Sequence, residues 1–426
     1  MTLVDFLSPP RPGAAAQLDS AVWPAGAAYD AEGRIVLGGV ALTEIADRYG
    51  TALRVVDERE VRQRCRVYRK TFTEAEIGYA ATALLVRGIA NWVTAEGLSV
   101  VASTAADLAA AFAAGVDPKR IILHANRTPR TTLETAVARR VGRIVVGSLD
   151  EIGVLASIAT RPQRVLLRVA PGIGRDGYPT WDDGDAPGFA LGDIATAVAR
   201  VLGTPTLELI GLHCHLGSQI YNPDHYGEAI RRLVAEMAQV RRDHERLLTD
   251  LDLGGGHAIA YRNGDAEMNL TELAAIIEDA LDAACARQHF PRPNVAMEPG
   301  RGIVARAGVT LYRVLSVKHN DGGRISVIID SEERGGTPTG AYSGTVVANR
   351  RPSGPLSSAT VAGRAGDVIL AADVRLPADL RPGELLVVPC TGAYHRGPAM
   401  SVIGVRGGRC TELLRREPHL LDRDAS

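Results

Sequence analysis

Two glycine-rich segments in the second half of the chain have the composition of an anion-binding site. The triplet Gly254-Gly255-Gly256 follows the β-rich run "LDL", and "EPGRG" (298–302) follows the run "NVAM". Glycines have no Cβ, so their backbone N–H groups can approach an anion closely, and an arginine can add a charge-assisted fork. A glycine triplet alone more often marks a tight turn. Together with Arg301, the two segments predict a site for a phosphate group.

A third segment, "HCHLGSQ", contains two histidines at the end of another β-rich run. Side chains two positions apart on a strand point to the same face, so His213 and His215 leave two alternatives open. The pair could hold a catalytic metal with Glu298 as third ligand. Alternatively, one imidazole stacks on a ring-shaped cofactor while Gly217 and Ser218 help to hold its phosphate. The metal alternative lacks the further Asp or His usually needed at neighbouring strand ends, so we favour the second.

The elements around these segments alternate in type. From residue 76, short β-rich runs are separated by Ala/Leu/Arg-rich stretches with apolar residues at a spacing of three to four. The eight β-rich runs are "EIGYAAT", "SVVAST", "RIILHAN", "RIVVGS", "RVLLRVAP", "LIGLHCHLGS", "LDLGGG" and "NVAMEPG". Ser148 and Glu151 have the spacing of a capping box, which favours a helix start. This order predicts an α/β fold with a (β/α)8 TIM barrel, whose active site lies at the C-terminal strand ends. A doubly wound open sheet is the alternative.

After about residue 310 the pattern changes to β-type runs joined by Gly, Pro and Asn turns, which predicts a C-terminal, mostly antiparallel β domain. We divide the chain into an N-terminal segment (1–45) packing on the β domain, the barrel (46–308) and the β domain (309–426). The run "GRIVLGGVAL" is expected to add a strand to the β domain. The Gly/Asp-rich segment 172–192 is expected to form a loop over one mouth of the barrel.

The bulk composition excludes several classes of function. The 426 residues carry a net charge of −1, which gives no electrostatic case for binding nucleic acid or an acidic membrane. Five scattered cysteines without a CxxC pair favour a reduced protein over a disulfide scaffold or a zinc knuckle. The sequence has no basic n-region before an apolar run and no apolar run long enough to span a bilayer. These features predict a cytoplasmic protein.

The motifs also resemble those of a known family. "YAAT", "HAN", "LLRVAPG", "GLHCHLGSQI", "LDLGGG", "EPGRGIVARAG", "GDVIL" and "TGAY" occur in an order similar to that of the pyridoxal-phosphate (PLP) decarboxylases of the alanine-racemase fold, most of all the diaminopimelate decarboxylases. The resemblance covers roughly residues 45–420. It implies a PLP-binding barrel, a β domain and a homodimer with its active sites at the interface.

The same resemblance implies roles for individual residues. It implies that His215 stacks on the pyridine ring and that Glu298 hydrogen-bonds the ring nitrogen, which makes the cofactor an electron sink. The residues implied to hold the phosphate are Ser218, Gly254, Gly255, Gly256, Gly300, Arg301 and Tyr394.

One departure from the family concerns the covalent attachment of the cofactor. The family carries a lysine where this chain has Thr82, and only a primary amine can form the Schiff base with the aldehyde of PLP. The chain contains three lysines, Lys70, Lys119 and Lys318. They are expected on the helix before the first strand, at the wrong end of the third strand and in the β domain. We therefore expect that none of them substitutes.

Further departures affect the substrate side of the family's site. The Cys-Glu part of its Cys-Glu-Ser-Gly-Asp segment is missing before Gly366-Asp367, and its strand-2 carboxylate corresponds to Val101. Thr337-Pro338 stand in place of the Arg-Pro pair that grips the substrate carboxylate. Because the phosphate residues are retained while the amine and carboxylates are lost, we expect noncovalent binding of PLP or another phosphate-bearing ligand. No metal is expected.

New chemistry could have replaced the old at a histidine. His257 directly follows the glycine triplet, where the family more often has an aromatic residue, and a histidine beside a phosphate can act as general acid or base. His124 and His395 are weaker candidates. For each of them an exposed loop histidine is an equally good interpretation.

Three functions remain open. The first is a diverged decarboxylase-like enzyme of amino-acid or specialised metabolism that works without the covalent cofactor bond. The second is a non-catalytic pseudoenzyme, or a heterodimer partner of a lysine-bearing paralogue. The third is a working PLP-dependent amino-acid decarboxylase, against which Thr82 argues.

Overall fold

A computed structural model describes residues 18–173, 187–332, 344–352, 354–366, 368–394 and 400–415. The expectations for Thr337-Pro338, Asp367 and His395, and for most of the loop predicted at 172–192, lie outside these residues. None of the described helices combines the length and apolar character needed to cross a membrane.

The N-terminal part forms a small sheet of its own. It contains β1 (Ala28–Tyr29), β2 (Ile35–Leu37) and β3 (Val40–Ala41), followed by helix α1 (Leu42–Tyr49). The prediction that "GRIVLGGVAL" adds a strand to the β domain was therefore wrong. The run forms strands, but they lie in this separate small sheet. Gly38 and Gly39 both have positive φ, and this two-residue turn folds the run back into the β2–β3 hairpin. A hydrogen bond from Ile35 N to Ala348 O ties the small sheet to the β domain.

Eight parallel strands then form the barrel. They are β5 (Ala75–Ala80), β6 (Ser99–Ala102), β7 (Ile121–His124), β8 (Arg143–Val146), β9 (Gln163–Ala170), β11 (Leu207–Cys214), β12 (Asp250–Asp252) and β13 (Asn294–Met297), and the short β10 (Phe189–Ala190) extends the edge of β9. Each predicted run overlaps one of the eight strands, within one or two residues at its start. The last strand pairs with the first, with Val295 opposite Ala75, so the sheet is closed and the open-sheet alternative is excluded.

Helices surround the barrel and connect its strands. They are α2 (Glu58–Thr71), α3 (Arg87–Ala95), α4 (Ala105–Ala113), α5 (Arg130–Ala138), α6 (Leu149–Ile158), α7 (Ile194–Leu202), α8 (Asp224–His244), α9 (Leu270–Gln288) and the single turn α10 (Arg301–Val304). Ser148 caps α6 by accepting from Glu151 N, as predicted. The Glu151 carboxylate, however, accepts from Gly147 N at 2.7 Å and not from the cap residue.

The C-terminal strands form a nine-stranded, mostly antiparallel sheet, as predicted. Its members are β4 (Leu53–Asp57), β14 (Gly308–His319), β15 (Ile325–Ile329), β16 (Val346–Val347), β17 (Leu356–Ala362), β18 (Ile369–Pro377), β19 (Leu385–Val388), β20 (Ser401–Arg406) and β21 (Arg409–Leu414). The strand that the N-terminal part contributes is β4, which precedes the barrel helix α2 in sequence. β4 pairs with β14 and β20, so the chain contributes one strand to the β domain before the barrel and returns to that domain after it.

Candidate active site

The C-terminal ends of the barrel strands enclose a cavity of about 200 Å³. Predicted site residues from four barrel strand ends and one β-domain loop line this cavity together, although they are far apart in sequence. They are Thr82, His215, Gly217, Ser218, Gly256, His257, Glu298, Gly300, Arg301 and Tyr394. Gly254 and Gly255, which were also predicted, do not line the cavity and lie in the loop behind its wall.

The glycine triplet is required by the close approach of three loops. A Cβ on Gly254 would lie 2.4 Å from Cys214 O, one on Gly255 would lie 2.2 Å from Glu298 O, and one on Gly256 would lie 2.0 Å from Gly217 O. Real Cβ atoms do not approach backbone oxygens so closely. The loops after β11, β12 and β13 can therefore pack together only because these positions carry no side chain.

Arg301 supplies a positive charge beside this glycine loop. Its guanidinium donates to Ser218 Oγ at 2.5 Å and to Tyr261 Oη at 3.3 Å, and it lies over the Tyr394 ring at 5.0 Å. Among the described residues no carboxylate forms an ion pair with it. Hydroxyls and ring faces hold the side chain in place without neutralising it, which suits the binding of an anion.

Glu298 is buried and fixed by two histidines. Its Oε1 lies 2.9 Å from His124 Nε2 and its Oε2 lies 3.4 Å from His213 Nε2, and the two imidazoles meet edge to face at 4.8 Å. Burial opposes ionisation of the carboxyl, but the two histidines outweigh burial and hold its pKa well below the usual value. Burial lowers the pKa of His213 to about 4, so this imidazole donates its hydrogen bond as a neutral group.

The same three residues bring ligand-type nitrogen and oxygen atoms within 4.8 Å of one another, as a metal site would. The metal alternative paired His213 with His215, whereas the structure joins His213 to His124. The hydrogen bonds to Glu298 account for this arrangement without an ion, and the absence of a metal stays a prediction.

His215 lies one residue beyond the end of β11, where its side chain lines the cavity. Enclosure by the surrounding protein, with the positive charge of Arg168 added, lowers the pKa of His215 to about 3. A neutral imidazole in this wall offers a flat face to a ring-shaped ligand, as the resemblance implies.

Thr82 lies in the turn that follows β5, and its side chain is exposed to the cavity. The turn is held by hydrogen bonds from Ala80 N to Pro299 O and from Ala83 N to Ala80 O. All three lysines lie in the described part of the chain, and their side chains are exposed elsewhere. Lys70 lies near the end of α2, Lys119 precedes β7 at the other end of the barrel, and Lys318 lies in β14.

His257 contributes to the cavity wall, but its imidazole is buried between two aromatic rings. Tyr68 stacks on it at 5.6 Å and Tyr226 lies tilted at the same distance, while its Nδ1 lies 3.1 Å from Tyr68 Oη. Burial lowers the pKa of His257 to about 4. The imidazole is not in an exposed loop, and at neutral pH it is neutral, so the imidazolium that would act as a general acid is not present. A catalytic role for His257 stays a prediction.

Two residues of the site were not assigned from the sequence. His124 was considered only as a weak catalytic candidate, yet it is the nearer partner of Glu298. Arg168 was not considered at all, although it lies in the motif "LLRVAP" and lines the cavity. A charged residue within an otherwise apolar buried strand is the signal that could have identified Arg168.

Comparisons with known proteins agree with this geometry. The chain matches the family described as "Pyridoxal-dependent decarboxylase, pyridoxal binding domain" over residues 58–305. It is 41% identical to a diaminopimelate decarboxylase of Actinosynnema pretiosum subsp. auranticum, covering 98% of both chains. It is 33% identical to the diaminopimelate decarboxylase of Mycobacterium tuberculosis strain H37Rv, covering 93% of this chain and 95% of the relative.

Solved structures have the same fold. Diaminopimelate decarboxylase from M. jannaschii in complex with L-lysine superposes with a TM-score of 0.83 at 20% identity, covering 93% of this chain and 96% of that chain. The barrel and β domain thus agree with the family match and with the relatives of similar length. The chain belongs to the pyridoxal-dependent decarboxylase family, close to diaminopimelate decarboxylase.

Proposed function

We propose that this protein binds PLP noncovalently and does not carry out the decarboxylation that depends on a covalent bond between PLP and a lysine. The observation that carries the proposal is the threonine at the cavity wall. Thr82 occupies the turn after β5, and the three lysines of the chain all lie outside the cavity. A hydroxyl cannot replace a primary amine in forming an imine.

The donor set of the cavity fits PLP. Arg301 and Ser218, with Gly256 beside them in the cavity wall, would hold the phosphate, because the Arg301 guanidinium has no acidic partner among the described residues. Gly254 and Gly255 let the loops pack closely behind this wall. His215 would cover the ring. Glu298, ionised and fixed by two histidines, would accept from the ring nitrogen. When bound, PLP supplies an electron sink for a reaction on an attached substrate.

A diverged enzyme of amino-acid or specialised metabolism is the form of this proposal that we favour. The charged groups of the site are held in place by hydrogen bonds, and a purely structural barrel has no need of the Glu298 carboxylate in an apolar interior. We further propose that the protein is cytoplasmic and forms a homodimer, as the resemblance implies.

A non-catalytic subunit is the second candidate, and the sequestered His257 favours it. The residue that could have supplied a new acid or base is stacked between two tyrosines and has a pKa of about 4. Such a chain would bind the cofactor and act through a partner that carries the lysine. Copurification with a lysine-bearing paralogue would support this candidate over the enzyme.

The test combines PLP titration, followed by absorbance, with borohydride reduction and intact-mass analysis. We expect saturable binding and no covalent addition for the wild-type chain. Arg301→Ala should weaken binding by roughly 10- to 100-fold, because it removes charge-assisted hydrogen bonds. Arg200→Ala, on the exposed face of α7, is the matched control and should bind like wild type.

Thr82→Lys provides a gain-of-function arm. The substituted side chain would project from the turn after β5 into the cavity, so reduction should now attach PLP covalently at this position. Covalent addition to Lys70, Lys119 or Lys318 in the wild-type chain would contradict the proposal and revive the working decarboxylase.

A further inference from the structure

The candidate active site continues into a second cavity. This space of about 300 Å³ lies at the C-terminal ends of β7, β8 and β9 and shares His124 and Arg168 with the first cavity. Its wall is polar and includes Asn126, Arg127 and Ser148. A ligand held at Arg301 can therefore extend past Glu298 into a compartment that the phosphate site does not use.

Arg168 stands between the two cavities without an acidic partner. It is half-buried near the end of β9, and among the described residues no carboxylate lies within ion-pair distance and no acceptor bonds to its guanidinium. Burial lowers the pKa of Arg168, and the charge of Glu298 offsets this only in part. A guanidinium removed from water without a counterion is costly, so this position favours an anion supplied from outside the chain.

Glu298 and Glu151 are the acids whose charge acts on Arg168, and neither forms an ion pair with it. Both oxygens of Glu298 face histidines, at 2.9 and 3.4 Å. Glu151 accepts from Gly147 N at 2.7 Å and from Arg127 N at 3.3 Å. Val101 on β6 also lines the first cavity, at a position where the resemblance implies a carboxylate in other members of the family. Within the described part of the chain, no acid pairs with the Arg168 guanidinium.

We propose that Arg168 binds a carboxylate of the ligand, so that the natural ligand carries two anionic groups, a phosphate at Arg301 and a carboxylate in the second cavity. The ligand class is then PLP joined to an amino acid, or a phosphate-bearing metabolite of similar length with a carboxylate. Arg168 offers the planar pair of N–H donors that a carboxylate accepts in a bidentate manner. This inference rests on the proposed phosphate site but requires no reaction.

The experiment measures the affinity of stable, reduced phosphopyridoxyl compounds by isothermal titration calorimetry. Phosphopyridoxyl-alanine carries the carboxylate, and phosphopyridoxyl-ethylamine is the same molecule without it. We expect the wild-type chain to prefer the alanine compound by roughly 10- to 100-fold, the range given by a charge-assisted, bidentate hydrogen bond.

Arg168→Met should abolish this preference while leaving the affinity for the ethylamine compound unchanged. Arg168→Lys keeps the charge but loses the pair of parallel N–H donors, so it should retain part of the preference for the alanine compound. A retained preference would also show that the site is still folded. Arg200→Gln, on the exposed face of α7 and outside both cavities, is the matched control and should keep the full preference.

The outcomes separate this inference from the proposed function. If wild type binds both compounds equally, or if Arg168→Met keeps the full preference, the carboxylate site is wrong while the phosphate site stands. If neither compound binds, the proposed function itself fails and takes this inference with it.

Discussion

The barrel encloses a cavity at each end. The two cavities differ in whether acidic residues neutralise the charge of the arginines that line them. At the N-terminal end, a cavity of about 230 Å³ contains Arg143, whose Nη1 lies 2.8 Å from Glu76 Oε2 and whose Nη2 lies 3.7 Å from Asp252 Oδ2. Burial alone would lower the pKa of Arg143, but these acids outweigh it and raise the pKa.

At the C-terminal end, Arg168 and Arg301 have no acidic partner within the described residues, and burial lowers the pKa of Arg168. The cavities are similar in volume, so space alone does not distinguish a binding site. The difference is that Arg143 has its counter-ions built in, whereas the two arginines at the ligand end have none among the described residues. Predictions on stability and on binding follow from this contrast.

The strongest test is a matched pair of substitutions. Arg143→Met should lower the free energy of unfolding by about 1–3 kcal/mol, because Glu76 loses a charge-assisted hydrogen bond from a buried partner. Burial already raises the pKa of Asp252, so the loss of Arg143 adds little there. Arg168→Met should leave stability unchanged or slightly raised, because no ion pair is broken. Urea unfolding of the two variants measures both effects, and equal losses would contradict the comparison.

A second test uses pH at the C-terminal end. The pKa of His257 is lowered from 6.5 to about 4 by burial. In the unfolded chain this imidazole takes up a proton below about pH 6.5, while in the folded chain it stays neutral until about pH 4. Stability should therefore fall as the pH decreases from about 6.5 to about 4, and this residue contributes at most about 3 kcal/mol to the fall.

His257→Phe, which keeps an aromatic ring between Tyr68 and Tyr226, should flatten this dependence in unfolding experiments between pH 7 and pH 4.5. His213, whose pKa burial lowers to about 4, contributes with the same sign, so flattening is expected to be partial. An unchanged slope would mean that the His257 ring is already protonated or solvated in the folded protein.

The smallest expected effect concerns the support of the phosphate loops by α2. Tyr68 Oη lies 3.1 Å from His257 Nδ1, and Arg64 Nε donates to Gly302 O at 2.9 Å, so α2 contacts the loops after both β12 and β13. Tyr68→Phe should cost about 1 kcal/mol of stability, the usual worth of one buried hydrogen bond. Tyr221→Phe, on an exposed tyrosine, is the control and should show no change in thermal unfolding.

Much of the fold could be predicted from the local sequence pattern, and each incorrect prediction has a physical reason. The barrel strands were found because short β-rich runs alternate regularly with helical stretches. The segment "GRIVLGGVAL" was misplaced because its β-type composition does not say which sheet it joins, and the Gly38-Gly39 turn closes it on itself. β4 was missed as a β-domain strand because its partners, β14 and β20, lie far away in the chain.

In the site, sequence identified residue types, and the tertiary structure assigned their partners. His213 and His215 look equivalent in "HCHLGSQ", yet His213 bonds Glu298 while His215 lines the cavity, because β11 ends between them. The pairing of Glu298 with His124 joins strand ends 174 positions apart, which only the closure of the barrel brings together.

By itself, the sequence determined the barrel, the glycine loop with its arginine, and a threonine at the end of the first barrel strand, because these depend on residue type and short-range spacing. Only the tertiary structure decided which buried charges are neutralised. Ion pairing depends on distances of a few ångströms between strands that are remote in sequence. Thus Arg143 is paired at one end of the barrel, whereas Arg168 has no ion pair among the described residues at the other.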